Sequence, residues 1–211
     1  MRIGILGTGT LAAGLGGGWA RAGHEVTFGG RSRAKSAELA RRLGHGARAS
    51  APRETAEGRD AVLLAVSWDG AEEMLGLAGA ADGVLAGTPL IDPTNAVAHG
   101  VGVLLTGRGE SMAARIAALA PGAHVVKAFH LFPAARWTGP AGEGGPRATV
   151  AMCGDDPAAL RVVGDLVGDV GGVPATLGGL DRARQLEEAA GFVIGLAFAG
   201  FDPNSAVPQV T

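Results

Sequence analysis

Short apolar runs alternate with longer amphipathic segments along most of this chain. The apolar runs have the length of β-strands and lie at 2–7, 25–30, 60–67, 89–94 and 123–129. Between most of them, apolar residues recur every three or four positions, as in the helical segments 10–23, 33–44 and 110–122. Strands that alternate with helices form a parallel sheet covered on both faces. The pattern therefore predicts an α/β fold with a Rossmann-type doubly wound parallel sheet.

The alternation of strand and helix patterns is interrupted near residue 145, at the glycine- and proline-rich connector GPAGEGGPRA. Beyond it the pattern predicts two strands and two helical regions, at 148–154, 173–179, 155–172 and 180–200. The first of these helices should begin at Asp155 or Asp156, because the following Pro157 is tolerated in a first helical turn. We therefore expect a Rossmann domain over residues 1–145 and a small C-terminal α+β domain over residues 146–211.

A glycine-rich loop follows the first strand directly and leads into the first helix. It reads Gly7-Thr8-Gly9-Thr10-Leu11-Ala12, a GxGxxA pattern. Gly7 permits a tight turn, Gly9 lets the backbone approach a pyrophosphate, and Ala12 allows the helix to pack closely on the strand. Free N–H groups and the helix dipole then favour negative charge at the helix N-terminus. The loop predicts a dinucleotide-binding site.

The end of the second strand indicates which dinucleotide is bound. An acidic residue usually accepts the ribose hydroxyls of NAD here, but this chain has two glycines followed by Arg31, Ser32 and Arg33. Guanidinium groups bind phosphate as planar, permanently charged forks, and a serine can add a hydroxyl donor. We therefore predict NADP(H) rather than NAD(H). Lys35 is either a further phosphate ligand or part of a solvated helical turn.

Composition and charge exclude several other classes of function. The net charge is −2 and no basic run is present, so neither a nucleic acid nor an anionic membrane surface is an expected partner. The longest apolar run, at 189–201, is too short to cross a bilayer. A single cysteine, Cys153, excludes an internal disulfide and fits a cytoplasmic location, as does a glycine loop placed directly after the initiator. No metal site is expected, because four of the histidines lack the spacing of metal ligands. They are His24, His45, His99 and His124.

Several motifs together resemble the NADPH-dependent reductases of the deazaflavin coenzyme F-420. They are IGILGTGTLA, GGRS, LLAVSWD, LIDPTN, VVKAF, CGDDPAA and LGGLDRARQLE, and they extend over nearly the whole chain. The resemblance implies a Rossmann domain with a small C-terminal domain, usually in a dimer. It also implies hydride transfer between NADP(H) and the deazaflavin, which would be the small-molecule hydride acceptor.

The resemblance also implies roles for individual residues. The pyrophosphate would be lined by Thr8, Gly9, Thr10 and Leu11, and the 2′-phosphate by Arg31, Ser32 and Arg33. The ribose and nicotinamide would be bordered by Val66, Ser67, Trp68, Thr94, Asn95, Ala128 and Phe129. All of these fall at carboxyl ends of strands, where doubly wound sheets bind their ligands. Two positions depart from the family pattern: His130 replaces an asparagine, and no proline follows Asn95.

Two chemistries and one non-catalytic role remain open. Hydride transfer between two bound carriers needs binding and orientation but no side-chain acid. Reduction of a small carbonyl or imine needs a proton donor, for which His130 is the first candidate and Lys127 the second. Alternatively, His130 bonds a loop carbonyl and Lys127 pairs with an acid. The third possibility is a sensor that binds NADP(H) without turnover.

The last helical segment, ARQLEEAAGFVIGLAFAGF, begins charged and becomes apolar on every face. Such a helix must be buried all round. A second subunit is one possible cover, and the chain would then be a homodimer through this C-terminal helix. The other possible cover is the subunit's own Rossmann domain, which would leave a monomer.

Overall fold

A computed structural model describes residues 1–139 and 147–207. The strands are β1 (Arg2–Leu6), β2 (Glu25–Gly29), β3 (Arg48–Ser50), β4 (Ala61–Leu64), β5 (Pro89–Asp92), β6 (His124–Lys127), β7 (Thr149–Gly154) and β8 (Val173–Thr176). The helices are α1 (Thr10–Arg21), α2 (Arg33–Leu43), α3 (Pro52–Ala56), α4 (Ala71–Leu77), α5 (Met112–Leu119), α6 (Pro157–Asp169) and α7 (Ala183–Phe198). None of these helices is long and apolar enough to cross a membrane.

The eight strands form one sheet in the order β3-β2-β1-β4-β5-β6-β7-β8. Strands β1 to β6 are parallel, β7 runs antiparallel to β6, and β8 is parallel to β7. The chain thus winds outward from β1 in both directions, and the predicted Rossmann-type fold is confirmed. The periodicity did not predict β3, because its three residues carry no apolar run and lie half-exposed at the sheet edge.

Alternate residues of the central strands point into two separate cores, one on each face of the sheet. In β4, Leu63 belongs to the core that α1 and α6 cover, whereas Val62 and Leu64 belong to the core that α4 and α5 cover. Because both faces are buried, every residue of this strand is apolar and inaccessible to solvent. The continuous apolar run in the sequence has this double burial as its physical cause.

The segments after the connector extend the same sheet and the same core. Trp19 on α1 donates an indole hydrogen bond of 2.8 Å to the carbonyl of Leu166 on α6. As predicted, an aspartate caps α6: the carboxylate of Asp156 accepts a bond of 2.7 Å from the amide of Ala159. The expected boundary between residues 145 and 146 lies outside the described residues. The division into two domains therefore stays a prediction.

Helix α7 is buried in its first half and exposed in its second. Leu186 and Ala190 lie in the core, whereas Phe192 and Phe198 are each 53% exposed. The loop that follows β5 packs on this helix so closely that a Cβ added to Gly102 would lie 2.2 Å from the carbonyl oxygen of Gly191. Within one subunit, α7 is therefore not buried all round.

Candidate functional site

The glycine loop has the geometry that its sequence predicts. Gly7 adopts a φ of 133°, and its amide donates to the carbonyl of Gly29 at 2.7 Å. A side chain at Gly7 would collide with Ala65, since an added Cβ would lie 2.0 Å from that carbonyl oxygen. Gly9 caps α1, and an added Cβ there would have no neighbour within 4 Å. The backbone at Gly9 thus borders open space in front of a helix N-terminus, which fits a pyrophosphate.

Helix α1 packs most closely on the sheet at Gly16, one turn after the predicted position, Ala12. Ala12 is fully buried, as expected. An added Cβ at Gly16, however, would lie 2.6 Å from the Phe28 ring and 2.8 Å from Ile5 Cδ1. Gly16 therefore permits the helix–strand contact, and the signal for it was the run of three glycines at residues 16–18.

A cavity of about 310 Å³, here called the glycine-loop cavity, opens between the loop, the end of β2 and the end of β4. Its described lining includes seven of the predicted coenzyme residues: Gly7, Thr8, Gly9, Arg31, Ser32, Val66 and Ser67. Lys35, Gly30, Ala65, Gly70 and Met74 complete it. Thr10, Leu11, Ala12 and Arg33 were also predicted to contact the coenzyme, but they lie outside this described lining.

The basic side of this cavity faces acidic residues. Nη1 of Arg31 lies 3.0 Å from Oε2 of Glu73 on α4. Asp69 lies nearby, and its pKa is lowered by a hydrogen bond from Ser67 and, more weakly, by the positive charge of Arg31. Ser32 caps α2, where its hydroxyl oxygen accepts from the amide of Lys35 at 3.3 Å. Lys35 lines the cavity together with Arg31 and Ser32.

A second cavity of about 420 Å³, here called the α7 cavity, adjoins the first and shares Val66 and Ser67 with it. Its described lining also includes Trp68, Thr94 and Asn95, all predicted to border the nicotinamide or ribose. The remaining wall consists of Pro93, Val97, Ala98, His99, Ile194 and Phe198. The sequence predicted only a surface or turn position for His99. In the structure its ring stands edge-to-face against Phe198, with centroids 4.8 Å apart.

Ala128 and Phe129 are buried beside the cavities and belong to neither described lining. Phe129 has a φ of 60°, which is unusual for a residue with a side chain. Its ring packs edge-to-face against Trp19 and Trp137, with centroids 6.0 and 5.4 Å away. These aromatic contacts hold the strained backbone in place, and the side chain of Phe129 lies in the core.

His130 is 7% exposed, and burial together with the charge of Lys127 lowers its pKa from 6.5 to about 3. Its backbone carbonyl accepts a bond of 2.7 Å from Nδ2 of Asn95. Its buried Nδ1 atom has no hydrogen-bond partner among the described residues. His130 is therefore neutral near pH 7, which is unfavourable for a proton donor.

Lys127 is completely buried in a network of ionic groups. Its Nζ lies 3.0 Å from Oδ2 of Asp92 and 2.9 Å from Oε1 of Glu187, and it also donates to the carbonyl of Thr94. Lys127 belongs to neither described cavity lining. Of the two interpretations that the sequence left open, this geometry favours pairing with acids over catalysis.

Two further expectations concern metals and the single cysteine. Within residues 1–139 and 147–207, no group of three or more His, Cys, Asp or Glu side chains could hold a metal ion. Cys153 is buried, and burial raises the pKa of its thiol to about 11. A thiol in that state is a small buried side chain rather than a nucleophile.

Comparison with known proteins connects this geometry with oxidoreductases. Residues 2–96 match the family described as "NADP oxidoreductase coenzyme F420-dependent". A candidate F420-dependent NADP reductase from Arthrobacter sp. FB24 has a similar structure, with a TM-score of 0.81, 28% identity and 96% coverage of each chain. A hypothetical protein from Sinorhizobium meliloti gives a TM-score of 0.75 at 24% identity, with 87% of each chain covered.

A more distant similarity concerns the fold alone. The reductive aminase from Aspergillus terreus, solved with NADPH and ethyl-5-oxohexanoate, gives a TM-score of 0.68 at 21% identity. The match covers 94% of this chain and 62% of the aminase. The Rossmann-type sheet is thus shared with an enzyme whose structure contains NADPH.

Proposed function

We propose that this chain, whose residues 2–96 match the model of the coenzyme F420-dependent NADP oxidoreductase family, transfers hydride between NADP(H) and a deazaflavin of the F-420 type. One observation carries the proposal. The glycine-loop cavity and the α7 cavity meet at Val66 and Ser67. A dinucleotide that follows the first cavity would therefore bring its nicotinamide to the mouth of the second.

The residues of the glycine-loop cavity fit NADP(H). Gly9 leaves room for a pyrophosphate at the N-terminus of α1, and Gly7 permits the tight turn that precedes it. Arg31 and Lys35 line the side on which a 2′-phosphate would lie. Arg33 is exposed on α2, and its proposed role is the long-range attraction of the phosphate rather than direct contact.

The walls of the α7 cavity suit a flat ring system. Trp68, Ile194 and Phe198 present apolar surface, and Asn95 adds a polar side chain to the wall. The nicotinamide supplies the hydride. The side chains hold two rings in contact and exclude water, so orientation accounts for the rate and no side-chain acid is required.

A homodimer through α7 is part of the proposal. The second half of the helix and the adjoining loop expose an apolar surface formed by Val101, Val103, Leu105, Phe192 and Phe198. Exposed apolar surface of this kind commonly marks a protein interface. A two-fold contact between two copies of α7 would cover it. A cytoplasmic location stays a prediction, supported by the single reduced cysteine.

A second candidate, reduction of a small carbonyl or imine, is favoured by one feature of the α7 cavity. His99 is the titratable side chain in its described lining, at a position where a proton donor could reach an acceptor bound there. His130, the first sequence-based candidate, is buried in its neutral form. The sensor interpretation is not carried further, because this family and its structural neighbours are oxidoreductases.

The decisive experiment mixes purified protein with NADPH and the oxidised deazaflavin. Hydride transfer should abolish the visible absorption of the deazaflavin, with one NADPH consumed for each deazaflavin reduced. The control replaces the deazaflavin with a panel of ketones and cyclic imines and follows the loss of NADPH. Tight NADPH binding with reduction of the panel, and none of the deazaflavin, would contradict the first proposal and establish the second.

A further inference from the structure

We propose that Glu73 lowers the affinity for NADP(H) by competing with its 2′-phosphate for the guanidinium of Arg31, and so reduces the preference for NADP(H) over NAD(H). The inference rests on the proposed function, because it assumes that the glycine-loop cavity binds the coenzyme. It goes further by assigning a role to a carboxylate on α4 that lies outside the motifs on which the family resemblance rests.

The first support is the position of the ion pair. Arg31 follows β2 on one side of the glycine-loop cavity, and Glu73 lies on α4, between the lining residues Gly70 and Met74 of the opposite side. Glu73 is outside the described lining, and its 3.0 Å contact from Oε2 to Nη1 of Arg31 links a lining residue to the helix that carries Met74. A phosphate bound to Arg31 must either displace the carboxylate or lie beside it.

The second support is the exposure of the pair. The Arg31 side chain is 69% exposed and that of Glu73 is 55% exposed. Ion pairs this exposed contribute little to stability, so the bridge opens at little cost when a stronger anion arrives. Arg31 can therefore still bind a phosphate, but the carboxylate that remains nearby lowers the affinity.

The proposal predicts an uneven effect on the two coenzymes. A 2′-phosphate carries negative charge, so a carboxylate a few ångströms away repels it. The ribose of NAD(H) has a 2′-hydroxyl in that place, and a carboxylate can accept its hydrogen bond. Glu73 should therefore weaken NADP(H) and leave NAD(H) unaffected or more tightly bound. Glu73 should thus reduce the preference for NADP(H) over NAD(H) that Arg31 creates.

The test measures dissociation constants for the full chain and for Glu73→Gln by isothermal titration calorimetry. The ligands are NADPH and NADH, together with the fragments 2′,5′-ADP and 5′-AMP, which isolate the 2′-phosphate. Glu72→Gln is the matched control, because Glu72 is the exposed neighbour on α4 and has no ion pair among the described residues. Both substitutions remove one negative charge from the same helix.

Glu73→Gln should bind NADPH and 2′,5′-ADP about 3- to 10-fold more tightly than the unmodified protein, and added salt should reduce the gain. NADH and 5′-AMP should gain nothing, and Glu72→Gln should behave as the unmodified protein. Unchanged or weaker NADPH binding by Glu73→Gln would overturn the inference while leaving the proposed function intact. Failure of the unmodified protein to bind either coenzyme would instead contradict the proposed function.

Discussion

Nζ of Lys127, at the end of β6, lies 2.9 Å from Oε1 of Glu187 on α7, and neither side chain is exposed to solvent. The same carboxylate accepts bonds of 2.9 and 3.2 Å from the amides of Met112 and Ala113, the first residues of α5. Glu187 therefore pairs with a buried cation and also satisfies a helix N-terminus. This network fixes the first half of α7, whose second half carries Ile194 and Phe198 to the α7 cavity.

Removing one member of this network should destabilise the protein strongly. Lys127→Met leaves two buried carboxylates without their cation, so we expect the free energy of unfolding to fall by about 3–5 kcal/mol. Urea denaturation followed by circular dichroism measures the loss. Arg115→Gln breaks the exposed Arg115–Glu110 pair and should leave the free energy of unfolding nearly unchanged. Unchanged stability together with lost turnover in Lys127→Met would instead support catalysis by Lys127.

The pKa of His130 should make the stability depend on pH. The folded pKa, about 3, lies below the unfolded value of 6.5, so the unfolded chain binds the extra proton first as the pH falls. The contribution of His130 to the free energy of unfolding is complete above pH 6.5. It declines toward pH 3 by about 1.4 kcal/mol per pH unit.

Replacing His130 tests both this pH dependence and its proposed lack of a catalytic role. His130→Asn should lose about 2 kcal/mol less stability than the unmodified protein between pH 7.5 and pH 5. Urea denaturation at the two pH values measures the difference. Turnover of the variant should remain, because a neutral buried imidazole is not needed as an acid. A large fall in kcat with unchanged NADPH affinity would restore His130 as the proton donor.

Arg31→Asp should weaken NADPH by about 10- to 100-fold and NADH by much less. The substitution removes a charge-assisted hydrogen bond to the 2′-phosphate and places a negative charge beside it. Fluorescence titration with both coenzymes measures the two losses. Arg42→Asp changes the charge equally at the opposite end of α2 and should alter neither affinity. Equal losses for NADPH and NADH in Arg31→Asp would refute the phosphate assignment.

Gly102→Ala should disturb the α7 cavity without affecting the coenzyme. The added Cβ would lie 2.2 Å from the carbonyl oxygen of Gly191 and 2.7 Å from the amide nitrogen of Gly195, so the loop and α7 must separate. Because His99 and Phe198 come from these two segments, we expect KM for the hydride acceptor to rise several-fold while the Kd for NADPH stays constant.

Gly100→Ala is the matched control for this effect. Its φ of 79° is close to the 83° of Gly102, but an added Cβ there would have no neighbour within 4 Å. The two variants share the backbone strain and differ in the collision with α7. Equal effects on KM would show that strain in the loop, rather than contact with the helix, shapes the cavity.

The sequence by itself determined the local features of the molecule. Apolar runs such as residues 61–64 predict strands because a doubly covered strand buries every side chain. The glycine loop predicts its own turn because few other residues can adopt the φ of Gly7. The sequence could predict the cap of α6, because an aspartate oxygen accepts a hydrogen bond from an amide only three residues away. Each of these depends on neighbours along the chain.

Only the tertiary structure decided which distant side chains meet. It pairs Lys127 with Glu187, places His99 against Phe198, and joins Arg31 to Glu73 on α4. It also leaves half of α7 exposed within one subunit, so of the two covers that the sequence left open, the subunit's own Rossmann domain covers only the first half. These relationships arise because the strand order gathers the carboxyl ends of parallel strands at one edge, and the C-terminal helix then packs against that edge. No local periodicity encodes such a contact, since its energy exists only once the sheet has formed.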